Sequence, residues 1–357
     1  MKVIFDGYWW FGGPPSGRLV VRELVAAWIE SFPDDEVWLA CRRSDVQPLQ
    51  AALPNLNLLP LDLPIHALAA AFEVPWKARG MGAQILTQNF APLARNGAVF
   101  IHDAIFKEHP EWFSMRERLY LSFIGLLLQL TNSTVLTSSK TEARRIKRFL
   151  RAKEISAVGL AVASSLSTAV STPPRGAPKS RDFFLSVGRL NVRKNLATVV
   201  CASAASETVT EDTPLVVVGE PNGLPDDGPA IARQLVNEKA LCFLGRVSDG
   251  ELRWLYENAR ALIYLSLDEG YGLPPIEASA FGTVRILSDI PILREVNGDG
   301  PIYTDPLDVE ALAEVIRDVP EKLKQMRVHQ TAIQTSWADV AVKVRQVLGN
   351  QKGIHTS

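Results

Sequence analysis

The sequence predicts an α/β protein of two domains, each built on a parallel β-sheet flanked by helices. Short apolar, β-branched runs alternate with segments of helical periodicity along the chain, which is the pattern of parallel strands joined by helical crossovers. A chain of 357 residues is long enough for two domains of ordinary size. Residues 161–181 are rich in Ser, Thr, Ala and Pro and interrupt the periodicity, which indicates an interdomain linker.

Each series of elements predicts one open sheet. In the first series, strands are expected at Val3–Phe5, Val37–Cys41, Ile85–Thr87, Val99–His102 and Thr134–Leu136, with helices at Leu19–Ser31, Glu117–Leu130 and Thr141–Leu150. In the second, strands are expected at Phe183–Val187, Leu215–Val218, Leu241–Leu244, Ala261–Leu265 and Val284–Leu287, with helices at Asn195–Ala205, Asp249–Glu257 and Pro274–Phe281. Two such sheets predict a cleft, with ligands beyond the carboxyl ends of the strands.

These elements divide the chain at three points. The expected parts are a first domain over residues 1–165, a linker over 166–181, a second domain over 182–335, and a C-terminal helix within 336–357 that can cross back to the first domain.

Composition and charge exclude several classes of protein. Apolar residues make up 47% of the chain and charged residues 22%, with a net charge of −1, so the composition is globular and gives no overall attraction to nucleic acid. Cys41, Cys201 and Cys242 are too widely spaced for a metal-binding motif and predict buried thiols in a reducing compartment. The longest apolar run, residues 120–130, is too short to span a bilayer. Because a strand pattern follows Met1 directly, we expect a cytoplasmic protein without a signal peptide.

A group of cations follows the first strand of the second series. Arg189, Arg193 and Lys194 lie between the end of that strand and the start of a helix. A helix N-terminus already carries about half a positive charge, so cations there are unfavourable unless an anion neutralises them. A diphosphate is the natural partner of such a group, although a solvated basic turn would have the same pattern.

An acidic, glycine-rich loop follows a later strand. Gly270 and Gly272 allow backbone amides to approach a ligand, and the two prolines that follow suit the first turn of a helix. Glu269 is expected in the loop and Glu277 in the first turn of that helix. Each carboxylate can accept two hydrogen bonds from a vicinal diol, as on a ribose or a hexose. Taken alone, Glu277 is equally explained as an acid that favours a helix N-terminus.

The spacing of these motifs resembles that of the retaining family 4 glycosyltransferases, which have the GT-B fold of two facing Rossmann-like domains. Glu269 and Glu277 have the spacing of that family's paired glutamates, and Gly188-Arg189 followed by Lys194-Asn195 is similar to its phosphate motif. In the first half, residues 101–103 and 109–113 resemble bacterial mannosyl- and rhamnosyltransferases of this family. The likeness covers nearly all of residues 183–340, including 243–245, 247–249, 278–283, 288–291, Glu295 and Trp337.

The resemblance implies contributions to the site from both domains. His102 would contact the transferred sugar from the first domain. A glycine of the N-terminal loop would meet the donor, but Pro14-Pro15 separates Gly12-Gly13 from Ser16-Gly17, which departs from the family pattern. The choice of glycine pair therefore stays open, with Gly17 preferred because it directly precedes the predicted helix.

The second domain would hold the donor. The resemblance implies that Arg189 and Lys194 neutralise the diphosphate and that Glu277 holds the ribose hydroxyls. Glu269 and the amides of Gly270–Gly272 would hold the sugar. The implied catalytic residues are His102, Glu269, Arg189 and Lys194, and the implied donor-binding residues are Gly17, Arg189, Lys194, Val247, Glu269, Gly270, Tyr271, Gly272, Leu273 and Glu277.

The implied activity is transfer of a hexose from a nucleoside diphosphate sugar to a glycan or lipid-linked saccharide, as in bacterial surface polysaccharide synthesis. The first domain would bind the acceptor and the second the nucleotide sugar, with a mannose-type sugar and guanine favoured. We expect no metal ion and no bound cofactor, because no cluster of His, Asp or Glu near the donor motifs has ligand spacing. A nucleotide-sugar 2-epimerase and a non-catalytic nucleotide-sugar-binding protein are the alternatives. A nicotinamide dehydrogenase would need GxGxxG after the first strand, which residues 6–17 lack.

A basic segment of the first domain offers a possible contact with a membrane. Residues 140–153 contain seven Lys and Arg, opposed only by Glu142, and an apolar stripe at helical spacing is expected to face the core. Such a helix is either simply solvated, or it lies on anionic lipid at the inner face of the membrane, near a lipid-linked acceptor. The stripe consists of Ala143, Ile146, Phe149 and Leu150, and the cations are Lys140, Arg144, Arg145, Lys147, Arg148, Arg151 and Lys153.

Overall fold

The computed structural model describes residues 1–131, 133–178, 182–189, 191–220, 230–326 and 335–350. The chain forms two compact units. Unit 1 comprises Met1–Ala161 and the C-terminal stretch from Thr335, and unit 2 comprises Val162–Gln334.

Unit 1 contains a seven-stranded parallel sheet with the strand order β3-β2-β1-β4-β5-β6-β7. Its strands are β1 Lys2–Asp6, β2 Glu36–Arg42, β3 Asn57–Leu61, β4 Gln84–Gln88, β5 Gly97–Phe100, β6 Thr134–Thr137 and β7 Ile155–Ala157. Its first helices are α1 Pro15–Ser31, α2 Val46–Ala52, α3 His66–Leu68, α4 Val74–Lys77, α5 Ile105–Glu108, α6 Met115–Thr131 and α7 Lys140–Leu150. A π-helical turn, Ala69–Glu73, joins α3 to α4, so residues 66–77 form one helical segment.

The strand order of unit 1 assigns its helices to the two faces of the sheet. Crossovers between parallel strands are right-handed, and the strands run outward from β1 in both directions. Consequently α1 and α2 cover one face, and the α3–α4 segment, α6 and α7 cover the other. Alternate side chains of β1 agree with this: Phe5 packs edge-to-face on Trp28 of α1, whereas Ile4 lies in a buried cluster with Ala69 and Val74.

Unit 2 contains a six-stranded parallel sheet with the order β10-β9-β8-β11-β12-β13. Its strands are β8 Phe184–Val187, β9 Leu215–Val218, β10 Leu241–Gly245, β11 Ala261–Tyr264, β12 Val284–Ser288 and β13 Ile302–Thr304. Its helices are α8 Ser164–Thr168, α9 Leu196–Ala205, α10 Ala230–Asn237, α11 Asp249–Asn258, α12 Leu273–Ala280, α13 Pro291–Asn297 and α14 Val309–Met326.

The last described helix, α15 Trp337–Asn350, belongs to unit 1 and packs on α1. Trp337, Val344 and Leu348 are among its buried side chains. Arg345 donates to the Asp35 carboxylate, with Nε 2.8 Å from Oδ2. Residues 351–357 of the expected C-terminal helix lie outside the described residues.

The segment expected as a linker, 166–181, is bonded to unit 2 along its first part. Arg253 Nη1 donates to the carbonyl oxygens of Ser167 and Ala169 at 3.0 and 2.9 Å. The Thr172 amide donates to the Gly250 carbonyl oxygen at 3.1 Å. Residues 179–181 lie outside the described residues. Nowhere in the described ranges does a helix combine the length and the apolarity needed to cross a bilayer.

Candidate active site

In unit 2, several charged side chains lie close together where β8 and β11 end. After β8 the chain passes Gly188 (φ 149°) and enters a 3₁₀ turn, Val192–Lys194, in which the Asn191 side chain accepts a hydrogen bond from the Lys194 amide. A Cβ atom at position 188 would lie 3.0 Å from Lys194 Cε, so glycine there leaves room for the lysine. The chain then reverses through Asn195, in the left-handed region at φ 53°, and begins α9.

Lys194 and Glu269 form the centre of this group. Lys194 Nζ donates to Glu269 Oε1 and to the Tyr264 hydroxyl, both at 2.5 Å, and Tyr264 donates to the same carboxylate oxygen at 2.8 Å. Arg193 Nη1 donates to Glu269 Oε2 at 2.5 Å and to the Asp268 carbonyl oxygen at 3.0 Å. Three donors from two strand ends therefore hold one carboxylate.

The charges in this group stabilise one another. Burial alone would raise the pKa of Glu269, but the positive charges of Arg193 and Lys194 hold it at about 2. Burial lowers the pKa of Lys194 to about 8, against the opposing pull of the Glu269 carboxylate. At neutral pH all three groups are ionised, and the group keeps one net positive charge. It can therefore attract an anion.

The glycine-rich loop joins β11 to α12. Gly270 and Gly272 are buried, and Tyr271 and Leu273 are half-buried. Gly272 has φ 87°, and a Cβ atom there would lie 2.8 Å from Leu293 Cδ2. Both the backbone conformation and the lack of space therefore require glycine at this position.

Glu277 lies deeper in α12 than the sequence indicated. Because α12 begins at Leu273, Glu277 is its fifth residue, and the expectation that it occupies the first turn is wrong. Gly272 is the N-cap residue, so the helix begins one residue before the expected start at Pro274. The side chain of Glu277 is buried and accepts a hydrogen bond from the Tyr256 hydroxyl at 2.8 Å. Burial raises the pKa of Glu277 to about 7.

Two of the expected donor-binding residues lie outside this network. Arg189 is exposed, directly after Gly188, and Val247 is half-buried in the turn between β10 and α11. Within the described residues it is Arg193, rather than Arg189, that contacts Glu269. The sequence could not distinguish the two arginines, because both precede the same helix.

Unit 1 has an uncharged group of side chains where β4 and β5 end. β5 ends at Phe100, so His102 lies two residues beyond the strand rather than at its end as expected. His102 Nε2 lies 2.9 Å from Gln88 Oε1, and Gln88 Nε2 donates to the Asp6 carbonyl oxygen at 3.1 Å. Since the Gln88 amide nitrogen is used as a donor, Oε1 must accept, and His102 carries its proton on Nε2. Burial lowers the pKa of His102 to about 4, so the neutral ring offers Nδ1 as an acceptor.

Asp6 supports this group from the end of β1. Its Oδ2 atom lies 2.7 Å from His66 Nε2 and accepts from the Gln88 amide at 3.1 Å, and Oδ1 accepts from the Tyr8 amide at 3.1 Å. Burial would raise the pKa of Asp6, but His66 and these hydrogen bonds lower it. We did not identify Asp6, His66 or Gln88 from the sequence. The sequence does contain a signal for this group: β1 and β4 each end in a polar residue, Asp6 and Gln88. Parallel pairing of the two strands brings these strand ends together.

Gly17 and His102, both expected in the site, come together in the structure. Gly17 is the third residue of α1, and a Cβ atom there would lie 2.9 Å from Gln88 Oε1 and 3.5 Å from His102 Nε2. Gly13, from the other candidate pair, instead faces the Trp9 ring. Nowhere in the described part of the chain do three or more His, Cys, Asp or Glu side chains form a group able to hold a metal ion.

Two parallel-sheet units, one of them carrying a cationic group beside two buried glutamates, agree with the class of protein that the sequence motifs predict. Residues 171–334, somewhat less than half of the chain, match the family of the glycosyl transferases group 1. The predicted class of enzyme and the predicted fold are therefore confirmed.

Individual relatives agree with this assignment. The chain is 28% identical to the O-antigen chain mannosyltransferase RfbU of Salmonella typhimurium over 271 residues, which cover 74% of this chain and 72% of that protein. It is 31% identical to the GDP-mannose:cellobiosyl-diphosphopolyprenol alpha-mannosyltransferase of Komagataeibacter xylinus over 179 residues, which cover 46% of each chain. Its fold matches that of a sucrose-phosphate synthase from Thermosynechococcus elongatus with a TM-score of 0.67, over 99% of this chain and 100% of that one, at 19% identity.

Proposed function

We propose that the protein transfers mannose, or a hexose of mannose type, from a guanosine diphosphate donor to a glycan or lipid-linked saccharide. The observation that carries this proposal is the group formed by Lys194, Arg193 and Glu269 at the carboxyl edge of the unit 2 sheet. The mannosyltransferases among the relatives support the choice of sugar, and the relative from K. xylinus supports the choice of nucleotide.

The diphosphate would bind at the cationic group. An ammonium group has three hydrogens, and Lys194 directs two of them to Glu269 and Tyr264. The third can meet a phosphate oxygen while Glu269 keeps the ammonium group protonated. Arg189, exposed beside it, would contact the other phosphate. These charges would stabilise the leaving diphosphate as the glycosidic bond breaks.

The rest of the donor would be held by the two glutamates and by unit 1. Glu277 would accept from the ribose hydroxyls, with Tyr256 fixing its orientation. Glu269 and the amides of the Gly270–Gly272 loop would contact the transferred sugar. Nδ1 of His102 would accept a hydrogen bond from a sugar hydroxyl. Gly17, which has no side chain, would let the start of α1 approach the donor.

We further propose that the reaction retains the anomeric configuration and needs neither a metal ion nor a cofactor. Arg193 and Lys194 hold Glu269 as a weakly basic carboxylate, so it is poorly suited to removing a proton from the acceptor. The departing phosphate would take that proton on the same face of the sugar. The cations would perform the charge stabilisation that a divalent metal provides elsewhere.

A donor screen tests the proposal. The purified protein should hydrolyse GDP-mannose slowly without acceptor, and faster than UDP-glucose, UDP-galactose or dTDP-rhamnose. The rate should be unchanged in EDTA, and the product formed on an acceptor should be the α-anomer by NMR. Faster turnover of a uridine or thymidine donor would overturn the choice of base. Loss of activity in EDTA that Mg²⁺ or Mn²⁺ restores would overturn metal independence.

We place the enzyme in the cytoplasm, where α7 makes peripheral contact with anionic lipid. Lys140, Arg144, Lys147 and Arg148 are exposed along α7, whereas Arg145 is bound to Glu142 and Glu108. Exposed cations contribute at most about 1 kcal/mol each on such a surface. Replacing Arg144 and Arg148 with Gln should therefore weaken binding to anionic vesicles at low salt, and equal binding would remove α7 from the contact.

A further inference from the structure

The α3–α4 segment and α6 expose two apolar stripes. On α6, Leu119, Phe123, Leu126 and Leu130 recur every three or four residues and are 68%, 46%, 51% and 63% exposed. On the other segment, Phe72 and Trp76 are 52% and 64% exposed. Of the large apolar side chains exposed among the described residues, more than half lie between residues 65 and 130. We call the six residues named here the apolar face.

The two stripes belong to one continuous surface. The Tyr120 ring of α6 packs edge-to-face on Phe90, with centroids 5.0 Å apart, and Phe90 shares a buried cluster with Ala67 of α3. The inward sides of both elements share a buried cluster, in which Ala70 and Ala71 join Ile124 and Leu127. Neighbouring helices on one face of a sheet that pack through their inward sides present their outward sides together. The apolar face is thus a single patch on the side of the sheet that also carries α7.

Cations surround this patch. A cavity of about 870 Å³ beside Phe72 and Trp76 is lined on its rim by Arg79 and Arg95, both exposed. Arg116 and Arg118 are exposed on the first turns of α6. Residues 64–153, which include all these elements, contain thirteen Lys and Arg and six Asp and Glu. Two of the six acids, Glu73 and Glu142, are buried and bonded within the protein.

We propose that the apolar face docks on an anionic lipid bilayer, with its leucines and aromatic rings in the interfacial layer and the surrounding arginines on lipid phosphates. An apolar strip bordered by exposed cations matches the chemistry of such a surface, in which anionic phosphates lie above hydrocarbon. A protein partner of ordinary composition would not need the excess of basic charge. The inference deepens the proposed function, because the contact through α7 is purely electrostatic, whereas the apolar face adds an attachment that salt does not screen.

Co-sedimentation of the full chain with vesicles tests this inference. Binding should be strong on phosphatidylcholine vesicles that contain phosphatidylglycerol, weak on pure phosphatidylcholine, and partly retained at high salt. The double variant Leu119→Ser/Phe123→Ser should lower binding by about tenfold or more, since each side chain loses its apolar burial in lipid. The matched control is Ile29→Ser, a 44% exposed position on α1 across the sheet, which should bind as the wild type does.

A second variant covers the case in which the double variant fails to fold. Trp76→Ser, on the other stripe, should also weaken binding, and Trp76→Phe should keep binding but lose the fluorescence quenching that brominated lipids cause in the wild type. Donor hydrolysis without acceptor needs no bilayer, so its absence would count against the proposed function and leave the vesicle results valid. Equal binding of wild type, double variant and Trp76→Ser would overturn the inference. So would equal binding to neutral vesicles, or a lipid-free dimer that the double variant dissociates.

Discussion

The side chains at the carboxyl edges of the two sheets differ in charge: those of unit 2 are ionised, whereas the histidine and the amide of unit 1 are neutral. In unit 2, two cations and a carboxylate from the ends of β8 and β11 pair with one another and keep one net positive charge. In unit 1, the group that faces the same kind of edge is a neutral histidine bonded to an amide, with the Asp6–His66 pair behind it. In the reaction proposed above, unit 2 would manage the charge of the donor and unit 1 would orient uncharged hydroxyls.

The largest effect should come from unit 2. Lys194→Ala removes the ammonium group that would stabilise the leaving diphosphate, and turnover should fall by about 10²–10³-fold. Lys239→Ala removes an exposed lysine that pairs with Glu211 in the same unit and should leave turnover unchanged. Steady-state kinetics with GDP-mannose measures both. Near-normal turnover of a folded Lys194→Ala would place the phosphate site elsewhere.

His102→Ala should cost less, by about 10–100-fold in kcat/KM, since it removes one neutral hydrogen bond to the sugar. Gln88→Leu keeps the imidazole but no longer fixes its proton on Nε2. We expect an intermediate loss of kcat/KM for this variant. Because burial rather than the Gln88 contact lowers the pKa of His102 to about 4, that pKa should not rise in Gln88→Leu. NMR titration of the ring measures this directly. A pKa that rises towards its ordinary value in Gln88→Leu would show that the Gln88 contact, and not burial, keeps the ring neutral.

Gly17→Ala should lower activity by about tenfold without lowering stability. Alanine favours a helix over glycine by about 1 kcal/mol, but its methyl group would press on Gln88 Oε1 and stand beside His102. Thermal melting and kinetics on the same sample separate the two effects. Gly125→Ala on α6, where the new atom would only reach Leu150 at 3.4 Å, is the control that should keep full activity.

The smallest effect on rate, and the clearest on stability, is expected at Glu277. The pKa of this carboxyl, about 7, lies above its ordinary value of 4.5, so the folded state favours the protonated form. The corresponding stabilisation is complete below the ordinary pKa and is lost as pH rises through 7. Glu277→Gln should therefore gain stability over the wild type between pH 5 and pH 8, by about 2–3 kcal/mol at most.

The cost of this variant should be a few-fold higher KM for the donor. The exposed Glu310→Gln should show no such pH trend. A stability difference for Glu277→Gln that stays flat over this range would mean that water reaches the Glu277 carboxylate.

The sequence predicted the central strands of both sheets but missed three at their edges. β3, β7 and β13 are edge strands, and most of their residues are only half-buried. A strand covered on both faces needs a run of apolar residues, whereas a short edge strand does not: β7 and β13 have three residues each, and Pro60 interrupts the leucines of β3. The helical segment at 66–77 was missed for a related reason, because its outward side is apolar and hides the helical period.

The candidate site could be predicted only where a motif is local. The loop from Glu269 to Gly272 and the residues after β8 are each contained in a few positions, and the sequence identified both. The ion pairs of Glu269 with Arg193 and Lys194 join positions about 75 residues apart. The 3₁₀ turn determines that Arg193, rather than Arg189, contacts Glu269. The contact of Gln88 with His102 likewise depends on the register of β4 and β5, which no local pattern specifies.

The return of α15 to unit 1 has a consequence for synthesis of the chain. Unit 2 is continuous, whereas unit 1 needs a helix that leaves the ribosome after unit 2 is complete. At about 5–20 residues per second, α1 stays without this partner for roughly 10–35 s. The first half of the protein is thus the last to be finished, and its early form exposes apolar surface that a chaperone can bind.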